Sequence, residues 1–183
     1  MLYNSGDKVL DLQIKESKLR LERGDLTAMD IESIVFYARH DLILGSGFGS
    51  AISVRGGPSI QKELITFGAI ATCETVVTNA GELKAKYIIH AVGPRFQEAD
   101  LEAKLRTTIS NTLKAADEKQ ISRIAFPPMG TGFYGIPLDL CARVMCDEIN
   151  KHLSGLTSLN EVIICAMDNR EYKAFQSVME GKG

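Results

Sequence analysis

Little in this chain points to a disulfide framework, a metal, a membrane or a nucleic-acid polymer. Its 183 residues include only four cysteines, Cys73, Cys141, Cys146 and Cys165, and no two of them form a CxxC pair. Cys141 and Cys146 stand five apart, a spacing that sets them on different faces of a helix. Reduced thiols in a cytoplasm are therefore expected. The three histidines, His40, His90 and His152, lack the i, i+4 spacing of a helical zinc site. Neither a metal nor a cofactor is expected, and His90, at the end of an apolar run, reads as a hydrogen-bonded structural histidine. No stretch approaches the roughly 18 apolar residues of a membrane span, and no charged segment followed by an apolar run opens the sequence. A soluble cytoplasmic protein without a membrane partner is the expectation. Net charge is −2, and lysines and arginines are interspersed with acids instead of forming the basic stripe that a phosphate polymer requires. This charge suits a small anion held by neutral amides better than long RNA or DNA. At this length one domain can bury roughly 70 % of its unfolded surface, so the chain needs no covalent staple.

What the chain does have is two glycine-punctuated loops, each following an apolar run. The run from Arg123 to Pro127 leads into Pro128-Met129-Gly130-Thr131-Gly132-Phe133-Tyr134-Gly135, and Ile34 to Ala38 is followed by Leu44-Gly45-Ser46-Gly47-Phe48-Gly49. Glycine tolerates positive φ and lets successive amides converge on one oxyanion, while a following helix adds the positive end of its dipole. The same glycines also permit a tight chain reversal with no ligand at all. Neither loop is followed by Gly-Lys-Ser/Thr, which excludes a P-loop. Residues 130–135 satisfy G-x-G-x-x-G, but that fingerprint belongs after the first strand of a dinucleotide fold. Here one clear strand-helix pair follows it, and no acid ends the next strand. Ser46, Ser50 and Thr131 are nucleophiles by residue type only, since no elbow with an identifiable base accompanies them.

The periodicity predicts strands over 9–14, 18–22, 34–38, 74–78, 87–92, 123–127 and 161–166. It predicts helices from about Ser50, from Pro58 to Gly68 with Ile60, Leu64, Ile65 and Phe67 inward, over 101–118, over 138–152, and over 171–179. Alternating strands and helices make an α/β layer sandwich. No internal repeat, low-complexity linker or domain boundary is visible.

Three stretches in order resemble the successive motifs of the macrodomain family: Gly24-Asp25-Leu26-Thr27, then Ala85-Lys86-Tyr87-Ile88-Ile89-His90-Ala91-Val92-Gly93-Pro94, then Ile124-Ala125-Phe126-Pro127 through Gly135 and Pro137. The resemblance covers residues 18–180. Residues 1–17 are expected to be an N-terminal extension that adds a strand. The family implies a three-layer α/β/α sandwich with a mixed, roughly six-stranded sheet, and a cleft for ADP-ribose, free or attached to a protein. Asp25 resembles the carboxylate that accepts from the adenine amine, with the Leu26 amide near the purine. A carboxylate accepts but cannot donate, which favours adenine over guanine at that edge. Asp25 also reads as a turn or helix-capping acid. Gly45, Ser46, Gly47 and Phe48 resemble the first phosphate loop, and Gly130, Thr131, Gly132, Phe133 and Tyr134 the second. Asn169 either flanks the adenine or simply starts a helix.

The chain departs from the family where hydrolysis would occur. Hydrolytic members carry Asn-Ala-Ala-Asn and Gly-Val-Asp-Gly-Ala-Ile, whereas this chain has Phe36-Tyr37-Ala38-Arg39 and Gly47-Phe48-Gly49-Ser50-Ala51-Ile52. Arg39 replaces the second asparagine, and Gly49 replaces the aspartate that orients water. Glycine offers no proton acceptor and a guanidinium stays protonated, so neither can be a general base. Arg39 either pairs with an anionic group in the cleft or turns outward to Asp41. Three functions follow as expectations. One is a binding module for ADP-ribose or a related nucleoside diphosphate with a degenerate catalytic pair. Another is a hydrolase acting on ADP-ribosylated protein, O-acetyl-ADP-ribose or ADP-ribose 1″-phosphate. The third is a scaffold whose cleft, filled by Phe36, Tyr37, Phe48 and Arg39, binds nothing. Oligomeric state is not legible.

Overall fold

A computed structural model describes residues 9–182. Seven strands form one sheet: β1 Leu10–Ile14, β2 Ser17–Arg23, β3 Ser33–Tyr37, β4 Thr75–Asn79, β5 Tyr87–Ala91, β6 Arg123–Phe126 and β7 Glu161–Ala166, in the spatial order β1-β2-β7-β6-β3-β5-β4. β2, β7, β6, β3 and β5 are mutually parallel, and β1 and β4 are antiparallel edges. The sheet has one strand more than the six expected. The five helices are α1 Phe48–Gly56, α2 Ser59–Ile65, α3 Leu101–Glu118, α4 Leu138–Leu153 and α5 Asn169–Met179, and a single 3₁₀ turn covers Leu26–Ala28. The first part of the sequence expectation, Met1 to Lys8, lies outside the described residues.

Parallel strands covered on both faces are apolar throughout, not alternating. Val35, Ile89, Phe126, Val162 and Ile164 face α3, α4 and α5, while Ile34, Ile88, Ala125 and Ile163 face α1, α2 and the 3₁₀ turn. The chain is thus a three-layer α/β/α sandwich. On α3, Leu105, Ile109, Thr112 and Leu113 are buried, as their spacing requires. Cys141 and Cys146 are both buried on α4, and all four cysteines are free thiols.

Local details correct the sequence reading. α1 starts at Phe48, not Ser50, and α5 at Asn169, not Glu171. Asp168 accounts for the latter, because its side chain accepts from the Glu171 amide as the N-cap. Ile60 and Leu64 are buried on α2, but Ile65 is 70 % and Phe67 43 % exposed. The helix ends at Ile65, so the helical spacing that would bring Phe67 inward stops before reaching it. His90 is buried and bonds the Thr78 hydroxyl at 2.9 Å, the structural role its position indicates.

The sheet order sets the place of the site. From β3 the chain runs to β4 and β5 on one side, and from β6 it runs through α4 to β7 on the other. The adjacent strands β3 and β6 therefore form the switch point at which an open α/β sheet leaves a crevice beyond its strand carboxyl ends.

Candidate functional site

Each glycine loop follows one of those two strands, so adjacency of β3 and β6 brings together segments more than eighty residues apart in sequence. The loop after β3 carries Gly45, Ser46 and Gly47 into α1, with Phe48 as its first helical residue. The loop after β6 carries Gly130 to Tyr134. In the first, the N–H groups of Ile43 and Leu44 bond Asp41 and Gln61, but those of Gly45 through Ser50 have no acceptor among the described residues. In the second, the Met129 N–H bonds the Met145 sulfur at 3.5 Å and those of Gly135 and Ile136 bond Gly132 and Gly130 carbonyls. The N–H groups from Gly130 through Tyr134 have no acceptor among the described residues. Both loops thus leave a run of amide donors open to solvent or to an anion.

Tyr37, the last residue of β3, packs against the second loop. Its hydroxyl donates to the Pro94 carbonyl, and its ring lies 5.0 Å, centroid to centroid, from that of Tyr134. Gly130 sits at φ 73°, and a Cβ there would come within 2.6 Å of Ile136 and 2.9 Å of the Tyr37 ring. Gly132 differs, since its added Cβ would meet nothing within 4 Å. The protein's own packing gives no reason for a glycine at 132. Phe133 stands 92 % exposed beside it, whereas Tyr134 is half-buried, with burial raising its phenol above the ordinary value and the Arg95 guanidinium opposing that rise from 5.9 Å above its ring. A cavity of about 180 Å³ opens next to Tyr134, between Ala38, His40, Thr72, Arg95 and Glu98. A larger depression of about 380 Å³, lined by Cys73, Asn111 and Lys114, lies beside α3 away from both loops.

The loop after β2 holds Asp25 and Leu26. Asp25 caps the 3₁₀ turn, its Oδ1 accepting from the Thr27 amide at 3.0 Å and the Thr27 hydroxyl at 2.6 Å. Its Oδ2 accepts from Arg55 of α1. Burial opposes ionisation, yet the hydrogen bonds from Thr27 and Arg55 prevail and hold the carboxyl below its ordinary value. The capping role is thus realised, and the residue is half exposed at the carboxyl edge. Leu26 is buried, and its backbone N–H, first in the turn, has no acceptor among the described residues. Asn169 is exposed as the first residue of α5, after β7. Asp25, Leu26, Gly45 to Phe48, Gly130 to Tyr134 and Asn169 all follow strands whose carboxyl ends share one edge of the sheet. Arg55 and Thr27 are the polar groups on Asp25 that sequence reasoning passes over. No local pattern on α1 marks Arg55 as a neighbour of the β2 loop.

Arg39 and Gly49, the positions expected to depart from a hydrolytic pattern, sit in different surroundings. Arg39 pairs with Asp41, with Nε at 3.1 Å from Oδ1 and Nη2 at 2.5 Å from Oδ2, while its Nη1 stays beside the first loop, 3.6 Å from where a Cβ on Gly45 would sit. Gly49 is buried under the Phe36 ring, which in turn packs against Phe48 at 5.7 Å and His90 at 6.0 Å. Among the described residues no three His, Cys, Asp or Glu side chains are grouped to hold a metal, and no helix is long and apolar enough to cross a membrane.

The comparisons agree with this geometry. The family model described as Macro domain matches residues 38–145. A protein of Sulfurisphaera tokodaii is 38 % identical, covering 88 % of this chain and 91 % of its own length. A macro domain-containing protein of Caldanaerobacter subterraneus subsp. tengcongensis is 35 % identical, with coverage of 90 % and 97 %. Among solved structures, the Oceanobacillus iheyensis macrodomain with ADP superposes with a TM-score of 0.91 at 26 % identity, covering 97 % of each chain. The Trypanosoma brucei macrodomain in complex with ADP-ribose gives 0.83 at 28 %, covering 87 % of this chain and 68 % of the other. The fold, the paired loops and these matches together make the chain a member of the macro domain family.

Proposed function

We propose that this protein binds ADP-ribose, free or as the end of a modified protein, and acts as a binding module with little or no hydrolase activity. Two runs of amides without internal acceptors, on loops after adjacent strands, carry the reading. A diphosphate offers acceptor oxygens to both runs at once, and neutral amides hold it without a basic stripe. The solved relatives described with ADP and with ADP-ribose support the same ligand class. Asp25 and the Leu26 amide meet the adenine, Gly45 to Phe48 and Gly130 to Tyr134 meet the diphosphate and the distal ribose, and Asn169 borders the base.

The low hydrolase activity follows from chemistry at two positions. Arg39 is already paired with Asp41, and a side chain at 49 would press on the Phe36 ring, 3.1 Å from its Cβ. Neither position supplies a proton acceptor for water. Calorimetric titration with ADP-ribose, ADP and NAD tests the binding, and turnover assays with ADP-ribosylated protein, O-acetyl-ADP-ribose and ADP-ribose 1″-phosphate test the rest. One-to-one binding of ADP-ribose without turnover is expected. A folded protein that binds none of the three ligands would overturn the reading, and rapid turnover would restore the hydrolase.

A further inference from the structure

Arg55, on α1 and thirty residues along the chain from Asp25, bonds its carboxylate directly. The same Nη1 donates to the Thr27 hydroxyl at 2.6 Å, and that hydroxyl donates in turn to Asp25 Oδ1 at 2.6 Å. A carboxylate has about four acceptor positions. Thr27 fills both on Oδ1 with its amide and hydroxyl, and Arg55 takes one on Oδ2. One position is left, on Oδ2 and next to the guanidinium. Both hydrogens of Nη1 are used, while Nε and Nη2 donate to nothing among the described residues. The side chains of Arg55 and Asp25 are 51 % and 47 % exposed, and an ion pair so open to water contributes little to stability. Holding the fold together therefore does not account for a closed ring of three residues from two elements.

An open acceptor beside open donors matches a base edge that has a donor beside an acceptor. Adenine has such an edge on each side of its amine, at N1 and at N7. Resting on the reading of Asp25 as the residue that meets the adenine amine, we propose that Arg55 is a second base-reading residue. Its guanidinium donates to one ring nitrogen adjoining the amine while Asp25 Oδ2 accepts from the amine itself. The Leu26 N–H is the donor for the ring nitrogen on the other side. A six-oxo purine is rejected, because its carbonyl oxygen would face the Oδ2 lone pair with no hydrogen between the two acceptors.

The test is a calorimetric comparison of ADP, 1-deaza-ADP and 7-deaza-ADP on wild type, Arg55→Met and Arg55→Lys, with thermal melts to establish that each variant folds. In wild type both deaza analogues bind about tenfold more weakly than ADP, the loss of one hydrogen bond to a polar donor. In Arg55→Met the penalty for one analogue disappears and the penalty for the other stays, because ADP and the second analogue lose about tenfold while the first binds about as it does to wild type. Arg55→Lys folds with an ion pair to Asp25 but lacks the fork that serves two acceptors, and it loses the same penalty. Equal penalties in wild type and in the folded variants, or none in wild type, would overturn the proposal. Failure of wild type to bind ADP at all would overturn the reading of the cleft, and this proposal with it.

Discussion

The ring of Phe36 stands against the point where a side chain on residue 49 would start: an added Cβ at Gly49 is 3.1 Å from its outer carbon. Phe36 is the next-to-last residue of β3 and Gly49 lies in the first turn of α1, so the strand that leads into the first loop also packs against the start of the helix that follows it. Gly49→Asp is expected to destabilise the protein by about 1–3 kcal/mol through overpacking, and the double change with Phe36→Ala to cost less than the sum of the two. Denaturant midpoints of the four species measure the coupling. Additive effects would mean that the ring and the glycine do not share space.

Within the second loop, two glycines should respond in opposite ways. Gly130→Ala places a Cβ at positive φ against Ile136 and Tyr37, and is expected to cost about 1–3 kcal/mol of stability. Gly132→Glu meets no protein atom within 4 Å of its Cβ, so stability should change by less than about 0.5 kcal/mol while binding of ADP-ribose is lost to bulk and like charge. Melting curves and titrations on the same two samples give both readouts.

Asp25→Ala removes the one acceptor position left for the base. If the carboxylate meets the adenine amine, affinity for ADP-ribose falls by about 10- to 150-fold, the equivalent of about 1.5–3 kcal/mol. Titration of the variant against wild type decides it, and indistinguishable affinities would remove Asp25 from the site.

Burial pushes the His90 imidazole down to about 3, so it is neutral in the folded protein. In the unfolded chain it titrates near its ordinary value of about 6.5. Between these values the unfolded state holds the extra proton, and stability falls as pH drops from about 6.5 towards 3, by at most about 1.4 kcal/mol per pH unit. Above about 6.5 this histidine contributes no pH dependence. Urea midpoints between about pH 4.5 and 6.5 should slope less for His90→Gln than for wild type, and parallel slopes would show that the imidazole is reached by water.

Much of this was legible in the chain. The strands at 34–38, 87–92, 123–127 and 161–166 announce themselves because a strand covered on both faces must be apolar throughout, and α3 because its inward residues recur every three or four positions. The inward reading of Phe67 failed because the helix stops before it, an ending that the apolar pattern does not encode. The ends of α1 and α5 shifted by two residues for a related reason: the turn chemistry at Gly47 and Asp168 outweighs the side-chain pattern.

The sequence alone determined the layer type, the two glycine loops and the absence of a basic stripe, since each depends on neighbours along the chain. Only the tertiary structure decided that the loops share one edge and that Arg39 turns to Asp41. It also decided that Phe36 fills the space beside Gly49 and that Arg55 reaches Asp25. Those outcomes depend on strand order, and the pairing of β3 with β6 is set by long-range packing energy that no local spacing records.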